Sequence, residues 1–114
     1  MKERLNDKIR LLHIRDAILY IESFTKDFDE EKYLNNHLVQ SGVERQLEII
    51  GEAAANISKE VKTLYLDIEW NKIKAFRNVI AHEYFGVSSR QVWNVVCYEL
   101  PSLKEKIDKI IQSF

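Results

Sequence analysis

The chain has 114 residues, a formal net charge of −1, 46% hydrophobic residues and 31% charged residues. Three glycines and one proline are too few for the frequent turns of a β-sandwich or barrel. Twelve aromatic residues supply apolar surface that a disordered chain lacks. The near-neutral charge excludes a highly basic nucleic-acid coat but allows a local phosphate-binding patch. The composition predicts an all-α fold in one domain over residues 1–114, and the helices predicted below form an antiparallel bundle of four to five.

The first residues do not suggest an export signal, and no stretch of the chain suggests a membrane helix. The first seven residues are charged and lack an apolar core, and no run reaches the roughly eighteen apolar residues of a membrane helix. The single Cys97 permits no internal disulfide, and its apolar neighbours predict a small buried side chain. We expect a reduced, cytoplasmic protein without membrane contact.

The first predicted helix covers residues 3–24. Its apolar positions recur at three- and four-residue steps in two adjoining rows: Leu5, Ile9 and Leu12 in one, and Leu11, Ile14, Ile18 and Ile21 in the other. Asp29 is a plausible N-cap for a short turn or helix through Leu34. The two rows together predict one apolar face.

A second long helix is predicted from residue 36 or 37 to about Val61. Gly51 lies inside it, where glycine costs roughly 1 kcal/mol relative to alanine. The alanines beside it, Ala53, Ala54 and Ala55, suggest that another helix or subunit approaches the backbone closely there.

Two more helices complete the predicted bundle. The first runs from Glu69 to about Tyr84 and ends at Gly86, since glycine readily adopts the left-handed capping conformation. Ser88 or Ser89 can then begin the last helical stretch, in which Pro101 predicts a bend or a new first turn.

The segment 76–86 carries the chemistry of the sequence. At roughly 100° per residue, Asn78 and His82 share one helix face, while Arg77 and Tyr84 nearly eclipse each other on an adjacent face. Arginine is a permanently charged donor fork suited to phosphate, and histidine exchanges protons near neutral pH. The asparagine amide can orient the imidazole or a phosphate oxygen. From spacing alone, the arginine and histidine fit either a structural role or cleavage of a ribose phosphodiester.

A single motif histidine cannot easily serve as both acid and base on opposite sides of one phosphorus. A two-fold dimer that places two such helices side by side would supply both groups. The residues Glu69 to Arg90 also hold four basic side chains against two acidic ones, a modest patch of net charge +2. We expect a homodimer with a salt-sensitive contact to RNA.

The motif Arg77-x4-His82-x-Tyr84 resembles the signature of HepT-like proteins, a branch of the HEPN superfamily. Other blocks resemble the family in the same order, so that the likeness covers nearly the whole chain: Val43 to Ala54, Trp70, Tyr84 to Val87, Val92-Trp93 and Leu100 to Leu103.

The resemblance implies a homodimeric, metal-independent ribonuclease toxin that needs no cofactor. It places Arg77, His82 and Asn78 in an active-site cleft at the dimer interface. It also implies a partner antitoxin, a minimal nucleotidyltransferase that transfers AMP from ATP to Tyr84. Such a group would occupy the phosphate site beside Arg77 and repel RNA.

Glu44, Glu48 and Glu52 follow one another at four-residue steps on the second long helix. One interpretation is a solvated acidic edge. In the other, Glu48 or Glu52 either orients Arg77 or lines the cleft. His13 and His37 have no metal-ligand partner at helical spacing, so surface or capping roles are expected.

A different class of function also fits the sequence. In this alternative the chain is a non-catalytic helical binding module that presents Tyr84 and the cleft to a nucleotidyltransferase, or that binds nucleotides. Cleavage of RNA by the purified chain separates the two hypotheses.

Overall fold

The computed structural model describes residues 2–78 and 88–114, and the elements in those ranges are helical. In chain order they are α1 (Lys2–Phe24), α2 (Glu30–Leu34), α3 (His37–Ala55), α4 (Lys59–Leu64), α5 (Trp70–Lys74), a 3₁₀ turn (Ala75–Asn78), α6 (Ser89–Asn94), a π-helical turn (Val95–Glu99) and α7 (Leu100–Gln112). The predicted all-α fold is confirmed.

Helices α1, α3 and α7 form the centre of the bundle. The end of α1 packs near the start of α3, where the Phe24 ring lies against Gly42, so the two helices are antiparallel. Helix α7 is antiparallel to α1 as well, with Lys104 paired to Glu22 at 3.0 Å. The buried side chains between the three helices are apolar, among them Leu11, Ile14, Ile18, Ile21, Val43, Leu47, Ile50, Leu100, Ile107 and Ile110.

The second long helix ends earlier than the sequence predicts. It closes at Ala55 instead of about Val61, because Ser58 begins a new helix by accepting a hydrogen bond from the Val61 N–H. The buried carboxylate of Asp7 accepts two hydrogen bonds from Ser58, 2.8 Å from the backbone nitrogen and 2.6 Å from the hydroxyl. Helix α1 therefore fixes the break between α3 and α4.

Part of the third predicted helix is tighter than expected. Helix α5 starts at Trp70 and passes after Lys74 into a 3₁₀ turn, a common way for a helix to end. The predicted continuation to Tyr84 and the stop at Gly86 lie outside the described residues.

The last stretch follows the prediction for Pro101. Ser88 caps α6 reciprocally with Gln91, and a π-helical turn precedes α7, in which proline occupies the first turn. Proline has no N–H and collides with the carbonyl four residues before it, and the wider turn relieves that collision. Cys97 on this turn is exposed, so the prediction of a buried thiol was wrong.

One of the two apolar rows of α1 does not face the core. Leu11, Ile14, Ile18 and Ile21 are fully buried, as predicted, whereas Leu5 is 60% exposed and Ile9 is 43% exposed. The prediction of a single apolar face was wrong because the neighbouring helices cover only one side of α1. In the described ranges no helix has both the length and the hydropathy to cross a membrane.

Candidate active site

The 3₁₀ turn after α5 presents the first two motif residues. Ile73 and Phe76 are buried and anchor this unit against the bundle, while Arg77 and Asn78 are exposed. Trp70 fixes the start of α5 by donating its indole N–H to the Tyr65 carbonyl at 3.1 Å. The guanidinium and the amide therefore reach solvent from a backbone that the core holds in place.

Gly51 of α3 lies directly against the backbone of Arg77. A Cβ at position 51 would overlap the Arg77 backbone nitrogen and would come within 2.9 Å of the Arg77 Cβ. The predicted close approach at this glycine is confirmed, and the approaching segment is the motif turn of the same chain. Only a residue without a side chain allows Arg77 to take this position.

The other end of the motif segment is also tied to α3. Buried Gln40 accepts a hydrogen bond from the Ser89 hydroxyl at 3.2 Å, and its amide donates to the Tyr33 carbonyl at 2.9 Å. Gln40 and Gly51 are eleven residues apart and share one face of α3, roughly 16 Å from one another along the helix axis. One helix face thus holds the chain on both sides of residues 79–87.

Glu44 lies on the same face of α3, between Gln40 and Gly51, and is only 7% exposed. Carboxylates are rarely buried to this extent in proteins, because desolvation of the charge is costly. The spacing on α3 had pointed to Glu48 and Glu52 as the candidates instead of Glu44. The heptad relation of Glu44 to Gly51 was the signal that could have identified it.

Glu48 and Glu52 occupy the more exposed side of α3. Glu48 forms an ion pair with Arg45, which lies one turn earlier on the same helix. Glu52 is exposed and lines a groove between α1 and α3 together with Arg45 and His13. Neither carboxylate forms an ion pair with Arg77 among the described residues.

The basic patch expected around the motif is smaller than its net charge suggests. Lys72 pairs with Glu99, and the hydrogen bond that its ammonium donates to that carboxylate raises the pKa of Lys72 above its ordinary value. Arg90 pairs with Glu30 at 3.0 Å. Within the described part of the chain, Lys74 and Arg77 are the patch residues that remain without an ion pair.

His82 and Tyr84, the other two predicted site residues, lie outside the described residues. His13 and His37 are exposed, in agreement with the surface roles expected for them. Across residues 2–78 and 88–114, no cluster of three or more His, Cys, Asp or Glu side chains could hold a metal ion. The described half of the site offers an exposed guanidinium beside an exposed amide, which suits hydrogen bonding to phosphate oxygens.

The contact of Gly51 with Arg77 gives a direct test of this geometry. We expect Gly51→Ala to lower the rate of RNA cleavage by about 10²-fold, because a shift of about 1 Å in the predicted site residue Arg77 is enough for such a loss. The variant should also lose stability, since the atom in the way is backbone and the overpacking cost of about 1–3 kcal/mol or more exceeds the gain of about 1 kcal/mol in helix propensity. Cleavage assays and urea titrations measure the two effects separately.

Gly42→Ala is the matched control. Its Cβ would meet only the partly exposed Phe24 ring, at 3.2 Å, and that ring can move aside. We expect this variant to cleave RNA at the normal rate. Normal cleavage by Gly51→Ala would contradict the role given to the glycine.

Comparison with known proteins identifies a family for this chain. The family model described as Ribonuclease HepT-like matches residues 14–110. The protein named "Probable ribonuclease HepT" from Thermococcus cleftensis is 41% identical over 97 residues, which cover 85% of this chain and 88% of that protein. "Putative RNase MJ0125" from Methanocaldococcus jannaschii is 37% identical over 100 residues, covering 85% of this chain and 86% of its own length.

A longer relative contains the same region. "Gamma-glutamylcyclotransferase and putative RNase MJ0434" from Methanocaldococcus jannaschii is 38% identical over 109 residues, 96% of this chain. The chain spans about half of that protein, 49% of its length. No solved structure gives a significant match.

The all-α bundle and these matches define the class of protein as a ribonuclease. The chain belongs to the HepT-like ribonuclease family, since the family model covers 97 of its 114 residues.

Proposed function

We propose that this chain is the toxin of a toxin–antitoxin pair, an endoribonuclease that cleaves RNA without a metal ion or cofactor. In this proposal residues 1–114 form one HepT-like domain, with Arg77, Asn78 and His82 as the catalytic residues. The observation that carries the proposal is the exposed Arg77 on a backbone wedged against Gly51, in a chain of the HepT-like ribonuclease family. A guanidinium in a fixed position stabilises negative charge without reorganising during the reaction.

The reaction that these groups suit is internal transesterification of RNA. A neutral imidazole removes the proton of a ribose 2′-hydroxyl as its oxygen attacks the neighbouring phosphorus. The bond from phosphorus to the 5′-oxygen breaks, and a second, protonated imidazole donates a proton to that leaving oxygen. Arg77 stabilises the charge that accumulates on the phosphate oxygens, and Asn78 orients the imidazole or the phosphate. The products are a 2′,3′-cyclic phosphate and a 5′-hydroxyl.

Two imidazoles on opposite sides of one phosphorus require two chains, because each chain has one motif histidine. We therefore propose a homodimer in which both motif segments line one cleft. Arg77 and Asn78 are exposed, and Glu48 lies about 60° around α3 from Gly51, the residue that Arg77 contacts. We expect Glu48 to line the cleft, whereas Glu52 faces the groove between α1 and α3.

The proposed antitoxin is a minimal nucleotidyltransferase, and its target is the Tyr84 hydroxyl. The phenolic oxygen attacks the α-phosphorus of ATP, pyrophosphate leaves, and AMP remains as a phosphodiester on the tyrosine. Tyr84 follows Arg77 by only seven residues in the motif, so in this proposal AMP on its hydroxyl brings an anion into the same site. The added anion therefore competes with RNA for the guanidinium and blocks cleavage.

Cleavage of RNA by the purified chain tests the proposed reaction. We expect cleavage to persist in EDTA and to leave 2′,3′-cyclic phosphate ends. An RNA with a single 2′-deoxyribose at the cleaved position should resist cutting only there. Loss of cleavage in EDTA, or cutting at the deoxyribose, would contradict the proposed mechanism.

Mass spectrometry tests the proposed regulation separately. After incubation with a minimal nucleotidyltransferase and ATP, we expect AMP on Tyr84 and a loss of cleavage that matches the modified fraction. Tyr84→Phe should cleave RNA and stay active under the same treatment. Inactivation of Tyr84→Phe by the transferase would show that Tyr84 is not the controlling site.

A further inference from the structure

Helix α1 has a second apolar face that the rest of the described chain leaves largely exposed. We define the outer stripe as Leu5, Ile9, Leu12 and Leu19. Three of these side chains are 43–60% exposed and Leu12 is half-buried. At 100° per residue the four lie within an arc of about 80° and extend about 21 Å along the helix. Tyr20, which is 56% exposed, widens the stripe at one end.

The outer stripe is separate from the candidate active site. Helix α1 borders the side of α3 that carries Ile49 and Ala53, where Ile9 and His13 complete a shared groove. Arg77 packs on Gly51, which lies about 160–200° around α3 from those two residues. A partner on the outer stripe would therefore leave Arg77 and Asn78 uncovered.

The stripe is complementary to itself in an antiparallel arrangement. A two-fold axis at Leu12 sets this leucine against its own copy, Leu5 against Leu19 and Ile9 against Arg15, since each pair of numbers adds to 24. The same register places Lys8 opposite Asp16. An interface about a two-fold axis uses one patch twice. The Leu5–Leu19 pair and the Lys8–Asp16 pair therefore each occur twice, and the Leu12–Leu12 pair occurs once.

The charges at these positions are available for such pairing. Lys8 makes no ion pair with any other described residue. The Asp16 side chain is 56% exposed, and its contact within the chain is a 3.8 Å approach to the Nε atom of its neighbour Arg15. Exposed apolar side chains flanked by an unpaired lysine and by an aspartate with one long ion-pair contact suit a surface that binds a partner.

We propose that the outer stripe docks a second copy of this chain, with the two α1 helices antiparallel and Lys8 of each paired with Asp16 of the other. This contact goes beyond the cleft dimer and does not depend on RNA cleavage. Two self-contacts on different faces join cleft dimers in pairs into a tetramer. The tetramer rests on the proposed cleft dimer: in this assembly the two two-fold axes intersect at right angles, which closes two cleft dimers into one particle.

Charge reversal tests the register. We expect Lys8→Asp and Asp16→Lys each to halve the mass of the assembly in sedimentation or light scattering, because each places like charges together twice. The double variant Lys8→Asp/Asp16→Lys should regain the full mass. An equimolar mixture of the two single variants should also regain it, since each chain then meets its complement. Circular dichroism checks that every variant is folded.

Three results would overturn the proposal. Single variants that keep the full mass would exclude the ion pairs, and a double variant that stays at half mass would exclude the antiparallel register. If the wild-type chain is only a dimer and Lys8→Asp is a dimer of the same mass, the stripe does not dock a second copy and binds a different partner. Neither Lys8 nor Asp16 belongs to the proposed catalytic set, so all variants should cleave RNA. Cleavage assays therefore test the proposed function separately from the α1 contact.

A cross-link tests the position of the axis independently. In a Cys97→Ser background, Leu12→Cys should join two chains through a short bismaleimide, because the axis passes beside this residue. Ser102→Cys is the control, since Ser102 is exposed on α7, away from the outer stripe. Equal cross-linking of the two variants, or none at position 12, would contradict the proposed contact.

Discussion

Replacing His82 by alanine is expected to lower RNA cleavage by roughly 10²- to 10⁴-fold, the usual contribution of a positioned general acid or base. The loss falls on the chemical step, because the imidazole exchanges protons with the 2′-hydroxyl and the leaving oxygen. Binding of RNA should change much less, since Arg77 and Lys74 keep their charges. Single-turnover cleavage and filter binding of an RNA measure the two quantities.

The other two histidines provide matched controls. His13 and His37 are exposed on α1 and at the start of α3, and both are absent from the motif turn. His13→Ala and His37→Ala should each cleave RNA at the wild-type rate. Wild-type cleavage by His82→Ala, or an equal loss in all three variants, would remove His82 from the catalytic set.

The pH dependence gives a second readout of His82. An imidazole ordinarily titrates near pH 6.5, and the proposed mechanism needs one neutral and one protonated copy at the same time. The cleavage rate should therefore rise and fall with pH in a bell shape and decline on both sides of its maximum. A rate that rises steadily with pH would indicate that hydroxide, not a pair of imidazoles, drives the reaction.

Replacing Arg77 by alanine is expected to lower cleavage by roughly 10²- to 10³-fold, the usual cost of removing one fixed donor to a developing anion. Arg77→Lys should recover only part of this loss, because an ammonium group cannot offer two parallel donors to a phosphate. RNA affinity should also fall in Arg77→Ala, and its dependence on salt should become less steep.

Lys74→Ala is the control for charge alone. Lys74 is exposed, forms no ion pair among the described residues and lies three residues before Arg77. Its removal should weaken RNA binding without a large change in the cleavage rate of bound RNA. If Lys74→Ala and Arg77→Ala lose cleavage equally, Arg77 acts as part of a general positive surface and not as a catalytic group.

The fold was predictable where local chemistry decides the structure. The apolar spacing of α1, the cap at Asp29 and the position of Pro101 each predicted an element that the structure contains. The break after Ala55 was not predictable, because it depends on a carboxylate fifty-one residues away, Asp7, which binds Ser58. Hydrogen bonds between distant segments leave no periodic trace in the sequence.

The candidate site was predictable only in part, because some of its features depend on how distant segments pack together. Gly51 stood out because a glycine inside a helix costs stability, and the structure shows that its benefit is the close approach of Arg77. Glu44 did not stand out, since its burial depends on how α3 packs and not on its spacing from Glu48 and Glu52. The exposure of one apolar row of α1 was not predictable, because helical periodicity marks apolar positions but does not show which of two rows the other helices bury.

The central claim is that two chains share one catalytic groove, and dilution with inactive chains tests it most directly. Wild-type and His82→Ala chains are unfolded together, refolded at a fixed total concentration and assayed for RNA cleavage. If one groove needs both imidazoles, activity follows the square of the wild-type fraction and falls to about one quarter in an equal mixture. His13→Ala chains as the diluent should cause no fall. An activity of about one half, in direct proportion to the wild-type fraction, would show that each chain acts alone and would contradict the shared groove.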